Sequence, residues 1–199
     1  IINISSGSAY GDGGFGDTGW DGVLDEYGTR EDPVTLYAIS KFASERITRR
    51  LGNLMNLNVC NVRLSAIFGP WEYDTGLRDT LSAPMQASLL AISGSTAILS
   101  RKESRDWTYS RNVAEALYAI MDRENLTHDL YNITSGMPWS VEEWCKCLAK
   151  TFPEFTYRFA YADEQANVDL FGERDRVTMS SEKLTLDTGY ELSKNIPEI

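Results

Sequence analysis

The chain has 199 residues, 42% of them hydrophobic and 24% charged, and 29 acidic against 19 basic side chains leave a net charge of −10. Such a composition builds a true core, which excludes disorder and collagen-like repeats, and its acidity argues against the basic stripe that nucleic acid or an anionic membrane surface would require. No apolar run approaches the ~20 residues that span a bilayer, and no signal peptide is evident.

Cys60, Cys145 and Cys147 form an odd set without framework spacing, which fits a reduced, cytoplasmic chain. The length suits one domain or a domain and a half, and the opening on Ile1-Ile2-Asn3-Ile4 without methionine reads as a fragment. Residues 1–5 predict a short buried strand, with Ser5-Ser6-Gly7-Ser8 as the loop at its carboxyl end. From Tyr10 to Pro33 glycine, aspartate and glutamate dominate without periodicity, a long loop of the kind that leans functional.

Leu36, Ile39, Ala43, Ile47, Leu51 and Leu54 recur at helical spacing and predict an amphipathic helix over 35–55, with Arg46, Arg49 and Arg50 on its far, exposed side. Leu57 to Leu64 reads as a strand buried on both faces, ended by Gly69-Pro70. Helices follow over 77–92 and 111–123, a strand over 130–133, a helix behind the Ser140/Glu143 capping box, and a last helix over 181–187 ending at Gly189. This alternation is that of an α/β protein with a parallel sheet. Ligands in such sheets lie beyond the carboxyl ends of the strands, here the loops at Ser5 and Ser65.

Gly11-Asp12-Gly13-Gly14-Phe15-Gly16 matches G-x-G-x-x-G letter for letter. That pattern holds a pyrophosphate only where a helix leaves it, because the helix amino terminus supplies the donors. Asp17-Thr18-Gly19-Trp20-Asp21-Gly22 cannot start a helix and brings two carboxylates, so the segment reads as a mobile acidic loop.

Tyr37 and Lys41, four apart near the start of the 35–55 helical pattern, share one face. A tyrosine ionises near pH 10, so service as a base at neutrality asks for about three units, roughly 4 kcal/mol, from its surroundings. An ammonium one turn away is a source of that shift. Ser6 could hold a substrate oxygen while the phenol takes its proton.

Ser5-Ser6-Gly7-Ser8-Ala9-Tyr10-Gly11, Tyr37-Ala38-Ile39-Ser40-Lys41, Arg63-Leu64-Ser65-Ala66-Ile67-Phe68-Gly69-Pro70 and Arg105-Asp106-Trp107-Thr108-Tyr109 with Asn112-Val113-Ala114 stand in the order found in one family. Together they resemble the extended short-chain dehydrogenase/reductases, the NAD-dependent epimerase/dehydratase group, over nearly all of the chain. The resemblance implies the second half of a doubly wound, Rossmann-like parallel sheet with a small α/β substrate domain, the family's Gly-rich half being absent. Residues 1–70 and 106–134 would form the sheet, and 71–105 and 135–199 the substrate domain.

By the same resemblance Ser6, Tyr37 and Lys41 form the catalytic triad on NAD or NADP. Lys41 would lower the Tyr37 pKa and hold the nicotinamide ribose, with Ser5 beside them and Leu64, Ser65, Ala66 and Ile67 lining the nicotinamide. Arg105 would meet a substrate phosphate, consistent with the local basic cluster of Arg101, Lys102 and Arg105. Ser8 and Trp71 are further candidates for the substrate, a sugar, sugar acid or sugar nucleotide.

Three departures qualify the expectation. Family dehydratases carry an acidic pair where Gly7 and Ser8 stand, which argues against dehydration. Many sugar-nucleotide epimerases have asparagine at the position of Ala66. The aspartate of the family's Asp-x-Ser-Lys segment is lost, with Ser180 or Ser181 in its place.

Among other residues, His128 reads as a surface residue, Cys145 and Cys147 face apart on a helix and make no metal pair, and Trp139 and Trp144 read as core. The resulting expectation is hydride transfer at a secondary alcohol of a sugar derivative, by a homodimer in the full-length protein, poorly able to bind NAD as these residues alone. The alternative is a non-catalytic cofactor-sensing or scaffold protein of the same fold.

Overall fold

Three parallel strands in the order β1-β2-β6 carry the site: β1 (Ile2–Ser6), β2 (Cys60–Leu64) and β6 (Leu130–Ile133). The structure, a computed structural model, describes residues 1–14, 22–76, 80–170 and 175–196. The register sets Ser6 opposite Leu64 and Leu64 opposite Ile133, so the carboxyl ends of all three strands form one edge. That edge is where an open parallel sheet binds its ligands.

Helix α1 (Leu36–Met55) crosses between β1 and β2, capped by Thr35, whose hydroxyl accepts from the Ala38 amide at 3.1 Å, and stopped by Asn56 in the left-handed region. The expected length is right and the expected orientation is not. Leu36, Ile39, Ala43, Ile47, Leu51 and Leu54 are all exposed, Leu36 to 87%, while Ala38, Glu45 and Gly52 are the buried residues. The helix lies on the sheet through small residues and one carboxylate because a Cβ at Gly52 would come within 2.4 Å of a Val59 methyl. Of the arginines expected on the exposed side, Arg49 is half-buried and ion-paired with Asp129 at 2.6 Å.

β2 begins three residues later than expected and is not the apolar run it resembled. Asn61 and Arg63 are fully buried beside Val62. α3 (Ser110–Met121) and α5 (Glu182–Thr188) close the sheet core with Val113, Ala116, Ile120 and Leu184 against Val62, Tyr131 and Ile133.

A second core gathers around Phe68 of β3 (Ala66–Phe68). β3 runs parallel to β5 (Arg105–Tyr109), which pairs antiparallel with β7 (Pro138–Trp139), and β4 (Thr96–Leu99) pairs parallel with β8 (Thr156–Phe159). α2 starts at Ala83, not near 77, because Ser82 caps it and is itself held by Glu72 through its amide and hydroxyl; residues 77–79, with Arg78 and Asp79, lie outside the described residues. α2 (Ala83–Ile92) and α4 (Val141–Thr151) cover this core. Phe68 meets Trp139 edge-on at 5.1 Å between ring centroids and Trp144 at 5.5 Å, an arrangement that satisfies the ring quadrupoles. Both tryptophans and Cys145 are core, as expected. No described helix is long and apolar enough to cross a membrane.

The capping box reads from sequence and forms: Ser140 Oγ accepts from the Glu143 amide and the Glu143 carboxylate accepts from the Ser140 amide at 2.8 Å. Ser140→Ala removes one amide's partner at the start of α4 and is expected to cost about 1 kcal/mol, read as a lowered urea midpoint with an unchanged slope.

Candidate active site

Ser6 ends β1 with little exposure, and its Oγ accepts from the Ser8 amide at 3.1 Å as the chain turns into tight 3-10 turns over Gly7–Gly14. Tyr37 and Lys41 lie on the first turns of α1, and the Lys41 ammonium sits 5.8 Å from the centre of the Tyr37 ring. Lys41 also donates to the Ile4 carbonyl at 3.1 Å, which ties the start of the helix to β1 two residues before Ser6. Tyr37 is 55% exposed.

One turn beyond Lys41 stands a group that the sequence reading passed over. Glu45, almost fully buried, takes two hydrogen bonds from Arg63 of β2, from Nε at 2.9 Å and Nη2 at 2.7 Å, and a third from the Ser5 hydroxyl. Arg63 is fully buried, donates also to Glu31 at 3.0 Å, and lies 4.5 Å from the centre of the Tyr10 ring. Such a bidentate pair fixes direction as well as distance. Because Tyr37, Lys41 and Glu45 follow at spacings of four, clamping Glu45 aligns the other two along the same face of the helix. The signal for it was present as a carboxylate at that spacing and an arginine inside a buried strand.

Tyr10 is the floor beneath the loop. Its hydroxyl donates to Asn132 at 3.0 Å, and burial pushes its pKa up to about 12, so it stays neutral. The Asn132 amide in turn donates to the buried Glu26 at 2.7 Å, which Lys183 reaches together with Asp25. Leu24 bridges to Met179, so the described residues 22–33 are pinned rather than loose. The Gly-rich segment behaves as a decoy where it is described. Gly11 has φ +59°, and a Cβ there would overlap the Asp32 carbonyl, so its glycine serves backbone packing; Phe15 and Gly16 lie outside the described residues.

The remaining candidates disperse. Leu64, Ser65, Ala66 and Ile67 bridge β2 and β3 at the same edge, with the Ser65 and Thr108 hydroxyls 2.6 Å apart. Arg105 is half-buried and donates to the Leu170 carbonyl at 3.1 Å, while Arg101 pairs with Asp175 at 2.6 Å. Trp71 is 80% exposed on the turn after Pro70, with the Arg111 guanidinium 6.0 Å from its ring. His128 pairs with Asp187 at 3.1 Å at the amino end of β6, away from the carboxyl edge of the sheet.

Segment 176–179 covers the two positions after Ser6. A Cβ at Gly7 would lie 2.8 Å from the Met179 sulfur, and Ser8 Oγ accepts from Arg176 at 3.3 Å. Asp106 anchors this segment by accepting from the Met179 amide at 3.2 Å and from Thr134 and Ser135; burial raises its pKa.

The donor set suits a hydroxyl-rich cofactor at one end. An ammonium has three donors and the Ile4 carbonyl takes one, leaving Lys41 with donors that could meet ribose hydroxyls. No strand, glycine turn and helix amino terminus fit for a pyrophosphate occurs among the described residues.

The model of the NAD dependent epimerase/dehydratase family matches residues 1–134, and the chain belongs to that family. An uncharacterized 37.6 kDa protein of Escherichia coli O111:H- is 26% identical over 108 residues, 54% of this chain and 31% of that protein. Among solved structures, RMD from Pseudomonas aeruginosa complexed with NADPH superposes with a TM-score of 0.73 at 21% identity, over 96% of this chain and 60% of that one. UDP-N-acetylglucosamine 4-epimerase from Methanobrevibacter ruminantium, in complex with UDP-N-acetylmuramic acid, superposes with a TM-score of 0.75 at 14% identity, over 98% and 58%. These likenesses carry the Rossmann-type α/β fold, and the chain spans well under two thirds of each relative's length.

Glu45→Ala leaves the Arg63 charge buried with only Glu31 opposite it, and is expected to cost about 3–5 kcal/mol in denaturant unfolding. Replacing Glu45 and Arg63 together with methionine is expected to cost much less than the single change, a non-additivity that the same titrations measure.

Proposed function

We propose that the chain is the catalytic portion of an NAD(P)-dependent oxidoreductase or epimerase acting on a secondary alcohol of a sugar or sugar derivative through Ser6, Tyr37 and Lys41. The observation that supports it is the seat of α1, where Lys41, 5.8 Å from the Tyr37 ring centre, bonds the Ile4 carbonyl of the same strand that Ser6 ends. Family membership and the fold agree with it.

In this reading the Ser6 hydroxyl donates to the substrate oxygen and orients it. Tyr37 accepts the hydroxyl proton as the alcohol carbon becomes a carbonyl, and returns a proton on reduction. Lys41 holds ribose hydroxyls with the donors that the Ile4 carbonyl leaves over. A bound nicotinamide, NAD or NADP, supplies the acceptor for the two electrons that leave the carbon as hydride. Ser5, Leu64, Ser65, Ala66 and Ile67 would line that end of the cleft, Ser8 and Trp71 would border the substrate, and Arg105 would face an anionic part of it. Dehydration is disfavoured because Gly7 and Ser8 stand where the family's dehydratases carry an acidic pair.

We extend the proposal to a homodimer of the full-length protein, supported by the exposed apolar side of α1 rather than by its arginines. Light scattering is expected to give twice the chain mass, and a monomer at micromolar concentration would refute it.

In the full-length protein Tyr37→Phe is expected to lower kcat by orders of magnitude with cofactor affinity retained, while Lys41→Met should weaken cofactor binding as well. Steady-state kinetics with calorimetry separates the two, and unchanged turnover in Tyr37→Phe would refute the assignment.

A further inference from the structure

Where the chain leaves β2 for β3, Ser65 is held from both bodies of the fold. Its amide donates to the Ile133 carbonyl of β6 at 3.2 Å, and its hydroxyl lies 2.6 Å from that of Thr108 on β5. Thr108 is fully buried, and its Oγ1 also accepts from the Ser135 amide at 2.9 Å. Ser135 is fixed in turn, with its hydroxyl 3.2 Å from both Asp106 Oδ1 and the Trp107 carbonyl.

A hydroxyl has one proton and two acceptor lone pairs. Were Ser65 the donor, Thr108 would accept twice and its own proton would face no acceptor among the described residues, an unpaired donor in a fully buried position. Thr108 is therefore the donor and Ser65 the acceptor. The Ser65 proton is left for a partner outside the chain, since among the described residues its hydroxyl meets Thr108 alone. Ser65 is half-buried and follows directly on Leu64, which the strand register sets opposite Ser6. In the redox reading Ser6 and Tyr37 take the reacting oxygen of the substrate and Lys41 takes ribose hydroxyls, which leaves the carboxamide oxygen, an acceptor without a proton of its own, in need of a donor. From this juxtaposition we propose that Thr108 is a positioning residue that holds the Ser65 hydroxyl as a one-way donor to the carboxamide oxygen of the nicotinamide. This rests on the redox reading for the presence of that ring and adds the group that orients it.

The test is calorimetry on the full-length protein with two matched pairs of probes, NAD with ADP-ribose and NADP with 2′-phospho-ADP-ribose, the second of each pair lacking only the nicotinamide. In Ser65→Ala the dinucleotide is expected to bind about three- to tenfold more weakly, the loss of one neutral hydrogen bond, with the affinity of its truncated partner unchanged. Thr108→Val, which frees the Ser65 hydroxyl to turn, is expected to show a smaller part of the same selective loss, and Thr108→Ser, which keeps a hydroxyl, to restore the wild-type ratio. The thionicotinamide analogue of NAD, whose sulfur is a poor acceptor, is expected to bind wild type and Ser65→Ala alike. An unchanged ratio of NAD to ADP-ribose affinity in Ser65→Ala or Thr108→Val, or an equal loss for both probes, would overturn the proposal; equal loss in Thr108→Val would make Thr108 a support for Ser135 only. Failure of the wild type to bind either dinucleotide would overturn this proposal and the redox reading together. An unchanged ratio overturns the proposal alone, because turnover in Tyr37→Phe decides the redox reading separately.

Discussion

A carboxylate and a guanidinium buried together between α1 and β2 set the geometry on which everything at the strand ends depends. Glu45 and Arg63 are nearly inaccessible and bonded at two points, with Ser5 of β1 as a third partner. Burying two ions is costly, and their attraction offsets the cost only where geometry is good and the remaining donors find partners. In return the pair has direction. A helix resting on small residues alone could slide or roll on the sheet, and its first turns would carry Tyr37 and Lys41 with it. The bidentate contact removes that freedom and fixes Tyr37 and Lys41, eight and four residues away on the same helix.

The same pair explains what the sequence showed and what it concealed. The helical period over 35–55 was legible, as was the strand, helix, strand order, because both depend on local spacing. The face that α1 buries was not, because the apolar stripe from Leu36 to Leu54 is the stronger pattern and points outward. Periodicity gives the angle between faces and cannot say which one meets the sheet. In β2 the buried arginine and asparagine were hidden by the same habit of reading burial from apolarity, whereas burial here is made possible by partners across strands and helices. Ser6, Tyr37 and Lys41 could be proposed from sequence because a short motif holds two of them; the buried partners Glu45, Tyr10 and Asn132 could not, since the groups they bind lie far away in sequence.

The two cores divide the work. The sheet core, with Val62, Tyr131 and Ile133, holds the strand ends in register, and the Phe68 and tryptophan cluster builds a second body from β3, β5, β7 and the helices around them. Asp106 joins them: it lies on β5 and binds Thr134 and Ser135 just after β6 and the Met179 amide, so the segment reaching Gly7 and Ser8 is tied to both bodies.

Met179 pressed against Gly7 also restricts how the protein can diversify. A side chain at position 7 needs the sulfur to move first, and a new group at position 8 inherits the neighbour already bonded there. A change at this corner therefore calls for paired substitutions far apart in sequence, since a lone side chain at position 7 meets the Met179 sulfur before it meets anything else.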